Sequence, residues 1–402
     1  MATLHPFRAL RPAPATAAVV SSVPYDVVTT DEARQLAAGN PLSFLRVTRS
    51  ELDLPAGTDP YSAQVYAKAR ENFVFLKAQA PLVTEDAPSL YLYRLRMGEH
   101  EQTGVAGCFS LDEYESDIIK KHERTRRDKE DDRTRHIVEL RAQTGVVFLT
   151  YPRTDAVDNL ARQATAGTPL YDFTAADGIR HTVRRADAAS TSALVNSFTR
   201  IPALYIADGH HRAASASRAR VDLPQFDTFI AVAFPDNQTQ ILPYHRVVKD
   251  LAGHTPAQLL TAIGAQFPVA PGPATPRRKG EVSMYLDGMW HIIDLSNAAP
   301  GDDTRASQLD VALLQRHILE PLLTIGDIRS DKRIDFVGGA RGTGALERVV
   351  RSGSAAVAFS LFPVTVEDLI AISDAGGIMP PKSTWFEPKL RDGLLIHESS
   401  RR

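Results

Sequence analysis

The residues most suited to chemistry stand in one row: Asp208, Gly209, His210, His211 and Arg212, directly after the apolar run Tyr205-Ile206-Ala207. An apolar segment of strand length ending in Asp-Gly, followed by the alanine-rich stretch AASASRAR, reads as strand, tight turn and helix. At such a turn, backbone N–H groups near Gly209 converge on one spot, where the helix dipole also favours negative charge. Phosphate is the natural occupant. Gly209 lets the backbone come close, Arg212 can grip two phosphate oxygens, and His210 and His211 can donate hydrogen bonds or exchange a proton near neutral pH. Asp208, at the strand end, can orient a histidine or bind Mg²⁺. The plainer alternative makes Asp208 a helix cap, the histidines surface groups and Arg212 a packed stem. Five polar residues concentrated in one connecting loop weigh towards function.

The flanking segments supply the elements that must hold this turn. Thr29 with Glu32 forms a capping-box pattern and Gly39-Asn40-Pro41 a stop, which predicts a helix over 29–38, and a second is predicted over 60–78. SLYLYRLRM and TGVAGCFSL alternate about Gly98-Glu99-His100 as paired antiparallel strands. From Ile118 the chain turns charged, KKHERTRRDKEDDRTRH, with Asp131 and Arg135 at i,i+4, before the strand candidate TGVVFLTY. That charged run is either a catalytic segment or a solvated helix. FIAVAF and ILPYHRVV follow closely enough to join the same sheet as the 204–208 strand. PVAPGPATPRRKG reads as a linker or exposed crossing, VSMYLDGMWHIIDL as a hairpin turning at Asp287-Gly288, and RIDFVGG, AAVAFSLFPV and a helix from about Thr365 as a C-terminal lobe. The expectation is an α+β protein in three lobes: 1–110, 111–260 carrying the DGHHR turn, and 261–402 contributing to the substrate site.

Several weaker signals remain. Gly338, Gly339, Gly342 and Gly344 precede ALERVV but match neither G-x-G-x-x-G nor the P-loop pattern, so a turn is the favoured reading. Lys382, Ser383, Thr384 and Trp385, in MPPKSTWFEPK, are types that can close over an amino-acid substrate or simply pack in a proline-bounded loop. Tyr25-Asp26 and Tyr244-His245-Arg246 are polar groups at strand ends that either reach the pocket or satisfy buried backbone. No His/carboxylate metal spacing is evident in the sequence, since adjacent His210-His211 lacks the helical spacing of zinc signatures.

With 46 basic against 48 acidic side chains, the chain offers no global attraction for nucleic acid or anionic lipid. Arg8, Arg11 and prolines interrupt the start where a signal peptide needs an apolar stretch, and no later segment has spanning length, so the expected setting is cytoplasmic. Cys108, the single cysteine, rules out an intrachain disulfide and reads as a small core residue.

The run ADGHHR resembles the nucleotide-binding motif of the ParB/sulfiredoxin superfamily, in the form found in archaeal free-serine kinase. VPYDVV, IIKKHERTRRDKEDDRTRH, YDFTAADGIRHTV, YIADGHHRAASA, LPYHRVV, IDFVGG and MPPKSTWFEPKLRDG together resemble a bacterial and archaeal family of unknown function, DUF1015. The resemblance implies a ParB/sulfiredoxin-like mixed-sheet core. It further implies a kinase that moves a phosphoryl group from ATP or ADP, with Mg²⁺, to free L-serine. Glu123, flanked by His122, matches the kinase's catalytic base; Asp208 would act with it, and Gly209 to Arg212 would hold the phosphates. A homo-oligomer is compatible with this, and a membrane partner is not expected. The alternative is a ParB-like nucleotide-switched protein with residues 120–136 on DNA, disfavoured by the absence of a helix-turn-helix signature and by the slightly negative charge. Sulfiredoxin-type repair would need a cysteine where His210 stands.

Overall fold

A computed structural model describes residues 1–399. The chain forms two compact units, residues 1–239 with 388–402, and residues 240–387. Both are mixed α+β, in keeping with the expected class.

The first unit is built on a nine-stranded sheet: β1 (Leu4–His5), β2 (Tyr91–Met97), β3 (His100–Ser110), β4 (Ile119–Lys120), β5 (Val147–Tyr151), β6 (Tyr171–Thr174), β7 (Arg180–Arg185), β8 (Leu204–Asp208) and β9 (Thr228–Pro235). The order is β4-β8-β5-β9-β3-β2-β7-β6, with β1 against β3. Two pairs are parallel, β4 with β8 and β9 with β5, and the rest are antiparallel, so the sheet is mixed. The expected boundary after residue 110 falls at the end of β3, whose residues 105–110 pair with β9. Residues assigned by sequence to two lobes therefore share one sheet. The core is the continuous apolar content of the central strands, Val147 and Leu149 on β5 and Ala231 and Ala233 on β9, closed by Phe109, Phe198 and Phe229.

Local sequence explains the helices around this sheet. Helix α1 (Thr30–Ala37) begins at Thr29, whose side chain accepts from the Glu32 N–H while the Glu32 carboxylate accepts from the Thr29 N–H. Helix α2 spans Ala63–Gln79. The charged run forms helix α3 (Arg127–Leu140), which ends where Arg141 takes a left-handed φ of 52°. It is not wholly solvated, because Asp132, His136 and Ile137 are buried. The i,i+4 pairing of Asp131 with Arg135 does not form. Asp131 instead bonds Arg218 of helix α4 (His210–Ala219), and Arg135 lies over the Tyr66 ring.

The second unit carries a six-stranded sheet: β10 (Tyr244–Val248), β11 (Val269–Pro271), β12 (Glu281–Leu286), β13 (Met289–Asp294), β14 (Ile334–Gly338) and β15 (Val357–Leu361), in the order β11-β13-β12-β15-β10-β14. Two sequence expectations fail here. ILPYHRVV does not join the sheet of β8: Pro243 breaks it, Ile241–Leu242 pairs with Trp385–Phe386, and β10 enters the second sheet between β14 and β15. The supposed crossing PVAPGPATPRRKG starts as edge strand β11 on β13, where a proline at the strand end is tolerated. The hairpin is as expected, with Asp287 at φ 49° and Gly288 at φ 80° between β12 and β13. Helix α5 (Thr343–Arg351) follows the glycine-rich segment, and helix α6 (Val366–Asp374) starts at a capping box on Thr365.

Candidate phosphate and acid–base site

The sheet topology delivers the site. Because β4 runs parallel to β8, with Ile119 opposite Leu204 and Lys120 opposite Tyr205, the residues that follow both strands emerge on the same edge. His122 and Glu123 thereby meet the turn at Asp208-Gly209-His210, 85 residues or more away in sequence. A register shift in the β8–β5 pairing between Ile206 and Asp208 marks a bulge, the kind of irregularity that re-aims a strand's last side chain. Gly209 then takes φ 97° and ψ 30° as the residue preceding α4. A β-carbon there would lie 3.0 Å from Arg212 Cζ and Nε, so glycine is required by backbone conformation and by space together.

Asp208 Oδ2 lies 3.1 Å from Lys389 Nζ and 3.4 Å from Arg212 Nη2. Burial pushes the Asp208 carboxyl up, but Lys389 and Arg212 outweigh it and hold the group below the usual carboxylate range, so it is an anion at neutral pH. Arg212 turns inward rather than into the open mouth of the turn. It is 6% exposed, donates from Nη1 to the Val146 carbonyl, and places Nη2 3.6 Å from Asp26 Oδ2. Behind it lies a cavity of about 30 Å³ lined by Tyr25, Arg133, Gln143, Thr144, Arg212 and Asp392. That is room for about two water molecules. Asp392, 1% exposed, has its carboxyl raised to about 7 by burial, only partly relieved by Arg212.

The histidines differ from one another. His210 is buried, and its Nε2 accepts a 3.4 Å bond from the His122 backbone N–H, so that nitrogen carries a lone pair. Burial, with His122 as neighbour, holds the His210 imidazole well below its ordinary value, and burial pushes His122 down to about 4. Both rings are neutral at pH 7, so proton exchange near neutrality does not belong to His210. Their centroids are 4.4 Å apart and the rings perpendicular. His211 Nε2 accepts 3.0 Å from the Arg126 N–H, fixing the chain as it enters α3. One atom each of His122, Glu123 and His210 lies within 4.8 Å of the other two, a His/carboxylate cluster that no spacing in the sequence made evident. The sequence could not display it because it depends on β4 lying beside β8.

Thus Glu123, His122, Asp208, Gly209, His210, His211 and Arg212 are brought together. Two residues that sequence reasoning did not single out, Lys389 and Asp392, join them; their one signal was membership of the segment that ends KLRDG. Tyr244, His245, Arg246, Lys382, Ser383, Thr384 and Trp385 fall in the second unit and form a cluster of their own. There, Tyr244 and Trp385 meet edge to face at 5.1 Å, Lys382 Nζ stands 5.5 Å over the Tyr244 ring, and Ser383 Oγ donates 2.6 Å to the Pro380 carbonyl. His245 is buried, its imidazole pushed down to about 4 by burial, and its Nδ1 accepts from the Leu361 N–H. Arg246, 1% exposed, donates to the Tyr244 and Pro381 carbonyls. Two glycines of FVGGARGTG serve packing: a β-carbon at Gly338 would lie 2.6 Å from Trp385 Cε2, and one at Gly339 2.6 Å from the Pro243 carbonyl oxygen.

A mixed-sheet α+β protein with a glycine turn at a helix start, beside a cluster of two buried histidines and the half-buried Glu123, is the class that fold and site define. The chain belongs to the family described as a protein of unknown function, DUF1015, whose model matches residues 4–312. No curated protein matches the chain. Among solved structures it is similar to SbnI with C-terminal truncation from Staphylococcus aureus, at 11% identity and TM-score 0.39 over 73% of this chain and 87% of that one. A conserved hypothetical protein from Pyrococcus furiosus is 14% identical at TM-score 0.36, over 73% of this chain and 95% of that one. A free serine kinase in complex with AMP is 11% identical at TM-score 0.37, over 73% and 91%. No helix among the described residues is long and apolar enough to cross a membrane.

Proposed function

We propose that the protein is a nucleotide-dependent kinase of free L-serine on a ParB/sulfiredoxin-like core, forming O-phospho-L-serine. The observation that carries this reading is the meeting of Glu123 with the Asp208–Arg212 turn, because a carboxylate and a phosphate-type turn are the two parts the reaction needs. The nucleotide phosphates lie at the start of α4, where Gly209 admits the backbone and the helix dipole favours negative charge. Glu123 takes the proton from the serine hydroxyl as the new O–P bond forms. The bond from that phosphorus to its bridging oxygen breaks, and the nucleotide leaves one phosphate shorter. Neutral His210, together with His211, positions the groups around the turn by hydrogen bonding. Arg212 and Lys389 set the charge of Asp208 from behind, an indirect role that differs from direct phosphate gripping. Mg²⁺, if bound, supplies charge neutralisation, with Asp208 the oxygen ligand suited to it.

Phosphorus NMR of the protein with Mg²⁺, L-serine and either ATP or ADP tests this. The O-phosphoserine resonance is expected with one donor, and Glu123→Gln lowers its rate by about 10²–10⁴-fold while nucleotide binding persists. Normal turnover in that variant removes Glu123 as base; silence with both donors sinks the kinase.

A further inference from the structure

The Glu123 carboxylate and the two imidazoles beside it form a donor set of a kind that phosphoryl transfer alone does not require. Magnesium prefers oxygen ligands, whereas two neutral imidazoles with one carboxylate suit divalent first-row transition metals such as zinc, cobalt or iron(II). His122 and His210 are both buried beside the turn. The lone pair of His210 Nε2 is engaged by the long 3.4 Å contact from the His122 N–H, weak enough to yield to a metal bond. The donor atoms lie within 4.8 Å of one another. Ligands sharing one ion through bonds of about 2.0–2.1 Å stand about 3–4 Å apart, so modest side-chain rotation closes the set.

We propose that His122, Glu123 and His210 bind one divalent transition-metal ion through three protein ligands, leaving open coordination positions beside the Gly209 turn. Building on the kinase reading, a carboxylate that ligates the ion cannot also accept the serine proton. The metal therefore acts as an inhibitor of phosphoryl transfer, and magnesium does not substitute for it.

Metal-stripped full-length protein titrated with cobalt(II) chloride is the test, read by visible d–d absorption. The expected result is a band that saturates at one equivalent, is displaced by zinc and is not displaced by magnesium. It is lost in His122→Ala and in Glu123→Gln, and retained in His211→Ala. Glu123→Gln removes the charge with little change of shape, so it decides the matter if His122→Ala fails to fold. A wild-type protein without the band, or a band that survives Glu123→Gln, overturns the site. The spectrum needs neither nucleotide nor serine. Absence of kinase activity would thus leave it intact, and absence of the spectrum would leave the kinase standing.

Discussion

Arg212 in the first unit and Arg246 in the second are both buried, yet their surroundings are opposite. Arg212 faces Asp26 and Asp208, with Asp392 also near enough to favour its charge, and these carboxylates outweigh burial to raise its guanidinium above the ordinary range. Arg246 has two carbonyl partners and the Phe336 ring at 5.5 Å, and burial lowers its guanidinium to about 9. A charge taken out of water is tolerable when opposite charge is provided, and a burden when only dipoles are. The first arrangement is a network whose members depend on one another; the second is a single costly group.

The sharpest way to break the comparison is to replace each arginine by methionine, similar in reach but uncharged. Arg212→Met takes the guanidinium from Asp26 and leaves Asp208 with Lys389 alone, and is expected to cost about 3–5 kcal/mol, measured by urea denaturation followed by far-ultraviolet circular dichroism. A loss no larger than an ordinary surface change would show that the network does not hold the turn. Next in size, Gly209→Ala forces a β-carbon into φ 97° against Arg212 and should cost about 1–3 kcal/mol together with nucleotide retention. Gly342→Ala, at φ 65° with open space around it, is the matched control at about 1 kcal/mol with retention unchanged.

A smaller effect comes from Asp392. Its folded carboxyl, raised to about 7, holds a proton that the unfolded chain releases near pH 4, so its stabilising contribution is complete below pH 4 and is lost as pH rises to about 7. Denaturation midpoints should fall between pH 5 and pH 8 by the equivalent of about 2 kcal/mol, and Asp392→Asn should flatten that slope. Equal slopes in both proteins would remove Asp392 as the cause. Smallest of all, Arg246→Met should be close to neutral or stabilising, since apolar replacement of a poorly compensated buried charge often is. Both tryptophans, Trp290 and Trp385, lie in the second unit, so their fluorescence reads this change directly.

What was legible in the sequence was local. The Thr29–Glu32 capping box, the hairpin at Gly98-Glu99-His100 and the strand-turn-helix at 204–219 are each written in neighbouring residues, and each is present. What was not legible depended on partners far along the chain. Sequence could not send Tyr244–Val248 to a second sheet, because its apolar pattern suits either one. Asp131 chose Arg218 over Arg135 because helix α4 packs on α3 and offers a guanidinium that local spacing cannot reveal. The same holds at the site. The DGHHR turn was readable, whereas the approach of His122 and Glu123 required the parallel β4–β8 pairing, and Lys389 required a return of the chain 181 residues later.

That return has a consequence in time. The first unit is interrupted by the whole second unit and resumes only at residue 388. During synthesis, the ribosome releases the DGHHR turn well before Lys389 and Asp392 exist, so a nascent chain must carry Asp208 without its lysine until residue 389 emerges. A message cut short anywhere in the intervening codons, 240 to 387, therefore yields a protein with the motif and without its closing charge. Translation itself thus acts as a check: the site closes late, and only in a chain that has been read through the whole second unit.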